Sequence, residues 1–287
     1  MKFKLLICLL FASLPVFAGL QRMNLSDAIR MNVVKAEGVA KGGYTGQALK
    51  LKLTNNTGNP LLITVDPAVV FRPADTTQQD LVLAGNEKIS IAPFKEATAD
   101  VQTFCAKSHA SSPLKNEPFS FLKKGSDTLE KVLLYLRQNN LLNSSLAQAA
   151  VWVITNDHGL DGVYAIGLER QSQQLVGFLS GLTGKAFPSV FRIYEHRNTP
   201  DAPVFNPKAL SIIASFEEKL DAPKKLTLGV YDGSGTLIQP VFEDRTFGKG
   251  GHRFKVDFEA EDVAPGAYFI RLKEGETVMQ EKRVVVE

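Results

Sequence analysis

Cys105 is the residue of this chain with the clearest capacity for covalent chemistry. The sequence contains two cysteines, and the other one, Cys8, lies in an apolar N-terminal run. His109 follows Cys105 by four residues, and His158 lies further along the chain. A thiol activated by an imidazole is the nucleophile of cysteine hydrolases, so Cys105 with either histidine defines one candidate site. No peptidase signature surrounds Cys105, and a small buried apolar residue is the simpler interpretation.

Two carboxylates, Asp157 and Asp161, flank His158. Together with His109, this polar cluster has the residue types of a metal or acid–base site. Zinc needs three or four converging ligands, and the chain has neither paired cysteine motifs nor the sequence H-E-x-x-H. The alternative is a helix end, where His158 interacts favourably with the helix dipole and Gly159 adopts the left-handed conformation. We predict no metal and no cofactor.

The N-terminus has the charge, apolar run and small residues of a secretory signal peptide. Lys2 and Lys4 come first, residues 5–12 are apolar, and Ala18 ends the segment that precedes the expected cleavage position. The apolar run is too short to span a bilayer, which takes about 20 residues. We therefore expect residues 1–18 to be removed on export to the periplasm, surface or surroundings of a Gram-negative bacterium.

Loss of this segment leaves Cys105 as a single thiol in an oxidising compartment, with no partner for an internal disulfide. No later stretch is apolar enough to insert into a membrane. The formal net charge of +3, with both signs interspersed, does not favour nucleic-acid binding, and a hydrophobic content of 44% is too high for a disordered chain. The length of 287 residues suggests roughly two domains.

Residues 19–122 show short strand patterns separated by turn residues. Leu49, Leu51 and Leu53 alternate with lysines, which predicts a strand with one buried face. Strand patterns at a spacing of roughly 8–12 residues are typical of an antiparallel β-sandwich. We predict an N-terminal sandwich.

Residues 123–195 change to a helical period. Leu129, Val132, Leu133 and Leu136 follow the spacing i, i+3, i+4, i+7, which predicts one apolar helix face. Similar patterns follow downstream, so we predict a small helical subdomain packed on the first sandwich.

Prolines are dense in residues 196–209, which predicts an extended linker or an extended first strand, and we place a domain boundary there. Residues 210–287 return to strand patterns, and Phe254, Val256 and Phe258 form one buried face. The predicted fold class is therefore mainly β, with two Ig-like β-sandwich domains flanking the helical subdomain.

The C-terminal part carries four motifs. They are Val-Tyr-Asp-Gly-Ser-Gly at 230–235, Gly-His-Arg-Phe-Lys-Val-Asp at 251–257, Pro-Gly-Ala-Tyr-Phe-Ile-Arg-Leu at 265–272 and Val-Val-Val at 284–286. Together they resemble the Ig-like sorting domains of type IX secretion and the sandwich of flagellar hook-capping proteins. The resemblance implies an Ig-like sandwich and, for the sorting family, export to the cell surface. Of the Pro-Asn-Pro opening of sorting domains only Asn206-Pro207 is present, whereas Lys282-Arg283 and the valines after them approximate the basic-apolar tail.

The segment 147–152, with the sequence A-Q-A-A-V-W, resembles the Gln-x-Ala-hydrophobic-Trp helix of bacterial surface thioester domains, and Phe104-Cys105 resembles their aromatic-Cys strand. The resemblance covers about residues 100–160. It implies that the Cys105 thiol condenses with the Gln148 carboxamide beside Trp152 and releases ammonia, after which the thioester captures amines on a partner surface.

Two departures from the thioester pattern are present. Ala147 stands where that family commonly has Thr, and no acidic residue follows soon after the cysteine. In the alternative interpretation, Cys105 and Trp152 are core residues and Gln148 binds backbone.

The favoured interpretation is an exported, non-enzymatic binding or structural protein of the cell envelope or surface, with a protein or glycan surface as its partner. The alternatives are a thioester adhesin that uses Cys105 and Gln148, and a Cys/His hydrolase. Phe191, Tyr194 and Tyr231 have the residue types of a carbohydrate platform, although aromatic residues in β-rich chains are commonly core.

Overall fold

A computed structural model describes residues 19–287. The predicted signal peptide, residues 1–18, lies outside the described residues. Strands account for 48% and helices for 17%, so the prediction of a mainly β protein with a helical part is confirmed. Within residues 19–287, no helix is both long and apolar enough to cross a membrane.

The N-terminal strands surround a leucine-rich core. Their bounds are β1 Gln21–Asn24, β2 Val34–Ala40, β3 Gly46–Asn55, β4 Leu61–Thr64, β5 Val69–Pro73, β6 Leu81–Leu83, β7 Lys88–Ile91, β8 Glu96–Cys105 and β9 Pro118–Lys124, with helix α1 at Leu25–Arg30. Leu49, Leu51 and Leu53 on β3 are all fully buried, as their alternation predicts.

Six of these strands form a closed barrel in the order β2-β3-β8-β6-β5-β9, and β1, β4 and β7 form a separate small sheet. The predicted N-terminal sandwich is therefore corrected to a barrel with an accompanying sheet. The barrel closes because β2 pairs with β3 on one side and with β9 on the other, which leaves no open edge.

The helical part comprises α2 Asp127–Gln138, α3 Ser145–Thr155, a short 3-10 turn at Leu160–Gly162 and α4 Glu169–Thr183. Ser126 caps α2, since its side chain accepts a hydrogen bond from the Leu129 N–H. The apolar face predicted for α2 is buried against the other helices and against residues on the outside of the barrel.

Seven strands follow the helices. They are β10 Val190–His196, β11 Phe205–Leu220, β12 Lys224–Tyr231, β13 Leu237–Phe247, β14 Gly250–Glu259, β15 Gly266–Glu274 and β16 Thr277–Val286. They form two sheets, ordered β10-β11-β14 and β13-β12-β15-β16. Both sheets contribute to one apolar cluster, in which Phe254, Val256 and Phe258 lie as their alternation predicts.

The structure differs from the predicted boundary at residues 196–209. β10, which begins within the range predicted as helical, pairs with β11, and β11 begins at Phe205. The loop between these two strands is joined to the barrel, because the N–H groups of Val204 and Phe205 donate to the carbonyls of Ala110 and Ser108. A proline-rich segment adopts a fixed path here because the loop between β8 and β9 accepts its backbone hydrogen bonds.

Candidate functional site

Helix α3 carries a polar side chain and an aromatic ring on its barrel-facing side. Gln148 and Trp152 are four residues apart, so they lie on one face of the helix. Gln148 is 2% exposed and Trp152 is fully buried. Trp152 belongs to the barrel's apolar cluster, although the other buried apolar side chains of α3 pack in the helical cluster.

The Gln148 carboxamide pairs with the backbone of Cys105, the last residue of β8. The Cys105 N–H donates to Gln148 Oε1 at 2.9 Å, and Gln148 Nε2 donates to the Cys105 carbonyl at 2.9 Å. On the other side of β8, Ala106 N–H donates to Asp80 O. Gln148 thus occupies the place of a neighbouring strand and satisfies two buried backbone groups.

The Cys105 thiol lies apart from this pairing. It is fully buried and donates a hydrogen bond to the Tyr44 carbonyl, with Sγ 3.1 Å from the oxygen. Burial raises the pKa of the Cys105 thiol well above its ordinary value, which disfavours the nucleophilic thiolate. The structure therefore brings Cys105 and Gln148 together through the backbone of one and the side chain of the other.

The polar cluster predicted from the sequence is divided. His109 is exposed in the loop after β8, and Asp157 is exposed and paired with Lys185 at 2.6 Å. His158 and Asp161 line one cavity. Within residues 19–287, no group of three or more His, Cys, Asp or Glu side chains is arranged to hold a metal ion.

The expected geometry of this helix end is corrected in one respect. Gly159 has a φ of −66°, whereas Asp157 adopts the left-handed conformation with a φ of 58°. Asp is one of the few residues besides glycine that adopt this conformation, and the Lys185 ammonium contacts both the carboxylate and the backbone carbonyl of Asp157.

The cavity lined by His158 and Asp161 has a volume of about 220 Å³, and we call it the aromatic cavity. It lies where helix α3, the 3-10 turn and the strands β10 and β11 meet. Its lining residues are Ala149, Trp152, His158, Gly159, Asp161, Gly162, Tyr194, His196, Phe205, Pro207 and Glu287. Gly159 and Pro207 are exposed, so the cavity opens to solvent.

Most of the other rings that line the aromatic cavity contact the Phe205 ring. Its centroid lies 4.5 Å from that of His158, 4.9 Å from that of Tyr194 and 5.7 Å from that of Trp152. The planes are inclined to Phe205 by 56°, 57° and 74°, respectively. Trp152 also meets His196 edge-on at 4.9 Å. Tilted and edge-to-face arrangements of this kind are the ones that neighbouring aromatic rings prefer.

Two imidazoles of the cavity are held neutral. Burial lowers the pKa of His196 to about 4, with a smaller contribution from the nearby His158. Burial, and then the Lys185 ammonium, lower the pKa of His158. Burial, and then the Asp161 carboxylate, raise the pKa of Tyr194 to about 12, so its phenol stays protonated.

Two residues of the cavity make polar contacts with side chains outside its lining. His158 Nε2 lies 2.9 Å from the buried Ser108 Oγ, and Asp161 pairs with Arg192 on β10. By contrast, Trp152 Nε1 is buried without a hydrogen-bond partner among the described residues. A buried donor left unpaired costs about 1–3 kcal/mol.

Sequence reasoning singled out Tyr194 among three aromatic residues but missed His196, Phe205 and Ser108. Tyr194 and His196 are two residues apart on β10, and this spacing was an available signal for a shared face. Phe191 stacks on Tyr164 with 5.0 Å between the ring centroids. Tyr231, the third platform candidate, packs in the C-terminal sheets with 6% exposure.

No protein-family model matches this chain, and no curated protein matches it.

Proposed function

We propose that the chain is an exported, non-enzymatic binding protein of the bacterial envelope or surface, and that the aromatic cavity holds its ligand. The observation that carries this proposal is the convergence of several aromatic and imidazole rings, three of them with shifted pKa values, on one solvent-open cavity. Apolar cavities with a few converging polar groups and perturbed titratable residues are the usual form of small-ligand sites.

Binding is favoured over hydrolysis by the state of the nucleophiles. The Cys105 thiol is fully buried and donates to a backbone carbonyl. His158 contacts Ser108 and not Cys105, and Ser108 is not among the residues that line the cavity. A nucleophile has to reach a bound substrate to attack it.

Export and surface attachment belong to the same proposal. They rest on the signal-peptide pattern of residues 1–18 and on the resemblance of the C-terminal motifs to Ig-like sorting domains. Seven strands in a three-stranded and a four-stranded sheet around one apolar cluster support an Ig-like sandwich. The mass of the protein purified from outside the cytoplasm tests the first part, since cleavage after Ala18 gives a defined N-terminus at Gly19.

Trp152 makes the cavity easy to monitor because it is the only tryptophan of the chain. Its fluorescence is measured while monosaccharides, single-ring aromatics and small organic cations are titrated into the full chain. We expect at least one class to produce a saturable change. If none does, the proposed binding function is overturned.

A cavity-filling variant provides the matched control. Ala149→Leu on α3 places a larger side chain in the cavity lining and is expected to abolish the saturable change. Gln174→Leu adds a leucine at an exposed position of another helix, α4, and is expected to leave the change intact. Equal effects of the two variants would contradict the assignment to this cavity.

A thioester remains the second candidate function, because Gln148 Nε2 lies 2.9 Å from the Cys105 carbonyl and the carboxamide is therefore next to the cysteine. The same intact-mass measurement distinguishes the candidates. A mature chain lighter by one ammonia, restored to full mass by Cys105→Ala after allowance for the substitution, would support the thioester. Full mass in the unmodified chain supports the binding protein alone.

A further inference from the structure

Resting on the proposed binding function, we infer that the aromatic cavity takes a methylated ammonium group, such as the head of a quaternary amine. Cations of this kind are attracted to the faces of aromatic rings, and they bind in cages that several rings form. The inference depends on the walls, the charges and the hydrogen-bonding groups of the cavity.

The walls supply several aromatic faces within reach of one guest. Trp152, Tyr194 and Phe205 all line the cavity, and the planes of Tyr194 and Trp152 are inclined to that of Phe205. A cation interacts usefully with a ring when it lies within about 6 Å of the centroid. A cavity of about 220 Å³ exceeds the roughly 150 Å³ that is known to hold a benzene ring, so a compact head group fits.

The charges of the lining residues are negative. Asp161 and Glu287 line the cavity, and none of its lining residues within 19–287 is a lysine or an arginine. Arg192, which pairs with Asp161, is not among the lining residues. The two lining histidines have lowered pKa values and are neutral near pH 7, so they place no positive charge beside the guest.

The hydrogen-bonding groups favour a methylated cation over a primary ammonium. A primary ammonium has three N–H donors that lose water on binding and need acceptors. Here Asp161 already accepts from Arg192, and His158 Nε2 already contacts Ser108, which leaves the Glu287 carboxylate as the lining side chain that could accept from an ammonium. A quaternary ammonium has no N–H donor, so it needs none of these acceptors and is attracted by the ring faces and by the negative charges of the lining.

The test uses a pair of probes of the same shape. Choline and its neutral isostere 3,3-dimethylbutan-1-ol are titrated into the full chain at constant ionic strength, with Trp152 emission as the readout. We expect choline to bind about tenfold more tightly, the ratio that a partly desolvated cation–π attraction produces.

A variant distinguishes the attraction of a cation to a ring face from ordinary apolar packing as the source of affinity. Phe205→Leu keeps an apolar side chain but removes one ring face. It should therefore weaken the binding of choline several-fold and leave the affinity for the neutral isostere nearly unchanged. Phe247→Leu, in the C-terminal sheets and outside the cavity lining, should change neither.

The outcomes distinguish the two proposals. Equal affinity for choline and its isostere, or equal weakening of both by Phe205→Leu, overturns the cation inference while the binding function stands. Binding of monosaccharides without any choline binding also overturns the inference alone. If no probe of any class binds, the proposed function fails, and the inference fails with it.

Discussion

Replacement of His196 by Gln should remove a large part of the acid sensitivity of the folded protein. The pKa of His196 is about 4 in the folded state and 6.5 in its ordinary environment, mainly because the ring is buried among Tyr44, Trp152 and Phe205. Well above pH 6.5 the ring is neutral in both states. As the pH falls below 6.5, the unfolded chain binds a proton that the folded chain does not, so stability is lost.

The size of this loss follows from the two pKa values. This group makes the free energy of unfolding about 2 kcal/mol lower at about pH 5 than at about pH 7.5, and the loss reaches about 3 kcal/mol below about pH 4. His196→Gln carries no titratable group and should lack this contribution. His158, whose pKa is also lowered, continues to titrate in both proteins.

The assay is denaturant unfolding of the original chain and the variant at about pH 7.5 and about pH 5. For each protein, the loss of stability is the free energy of unfolding at about pH 7.5 minus that at about pH 5. The losses of the two proteins are then compared. His109→Gln, at an exposed loop position, serves as the control and should lose as much stability as the original chain. A difference for His196→Gln below about 0.5 kcal/mol would refute the assignment of a buried neutral imidazole.

Three further predictions concern residues that stabilise the site or the fold. Each is tested by measuring the free energy of unfolding. Gln148→Leu leaves the buried N–H and C=O of Cys105 without partners and should cost about 3 kcal/mol, whereas Cys105→Ser keeps both backbone bonds and should cost clearly less. An equal cost would contradict the positioning role of the carboxamide. Ser126→Ala removes the cap of α2 and should cost about 1 kcal/mol, and no change would mean that another group caps the helix. Gly85→Ala should cost about 3 kcal/mol, since its φ is +80° and a Cβ would lie 2.5 Å from a backbone nitrogen. Gly177→Ala, inside α4 with open space around it, should instead stabilise by up to about 1 kcal/mol, so a similar effect at both glycines would show that backbone conformation is not the cause.

Local periodicity predicted the elements that bury one face. The alternation of Leu49, Leu51 and Leu53 and the helical spacing from Leu129 to Leu136 both appear as buried faces. Each pattern reports only which side of an element meets the core. Closure of the barrel depends on β2 pairing with β9, about 80 residues later in the chain, and no local pattern encodes a pairing at that separation.

The candidate site was predictable only in part for a related reason. The sequence placed Cys105, Gln148 and Trp152 in one region, and the structure has Gln148 in contact with Cys105. His196 and Phe205, by contrast, reach the cavity because the proline-rich segment between them is bonded to Ser108 and Ala110 in the loop between β8 and β9. Composition predicts that such a loop is extended, but it does not predict which backbone groups accept its hydrogen bonds.

The pair that first suggested covalent chemistry also accounts for the position of the cavity. Gln148 bonds α3 to the end of β8, and Trp152, one turn further along the same face, is thereby held against His196 and Phe205. If the carboxamide acts as a positioning group, Gln148→Leu should weaken ligand binding at the cavity as well as stability, although Gln148 does not line it. A covalent role for the carboxamide predicts the opposite pattern, in which the variant loses amine capture but keeps the cavity's affinity for small probes.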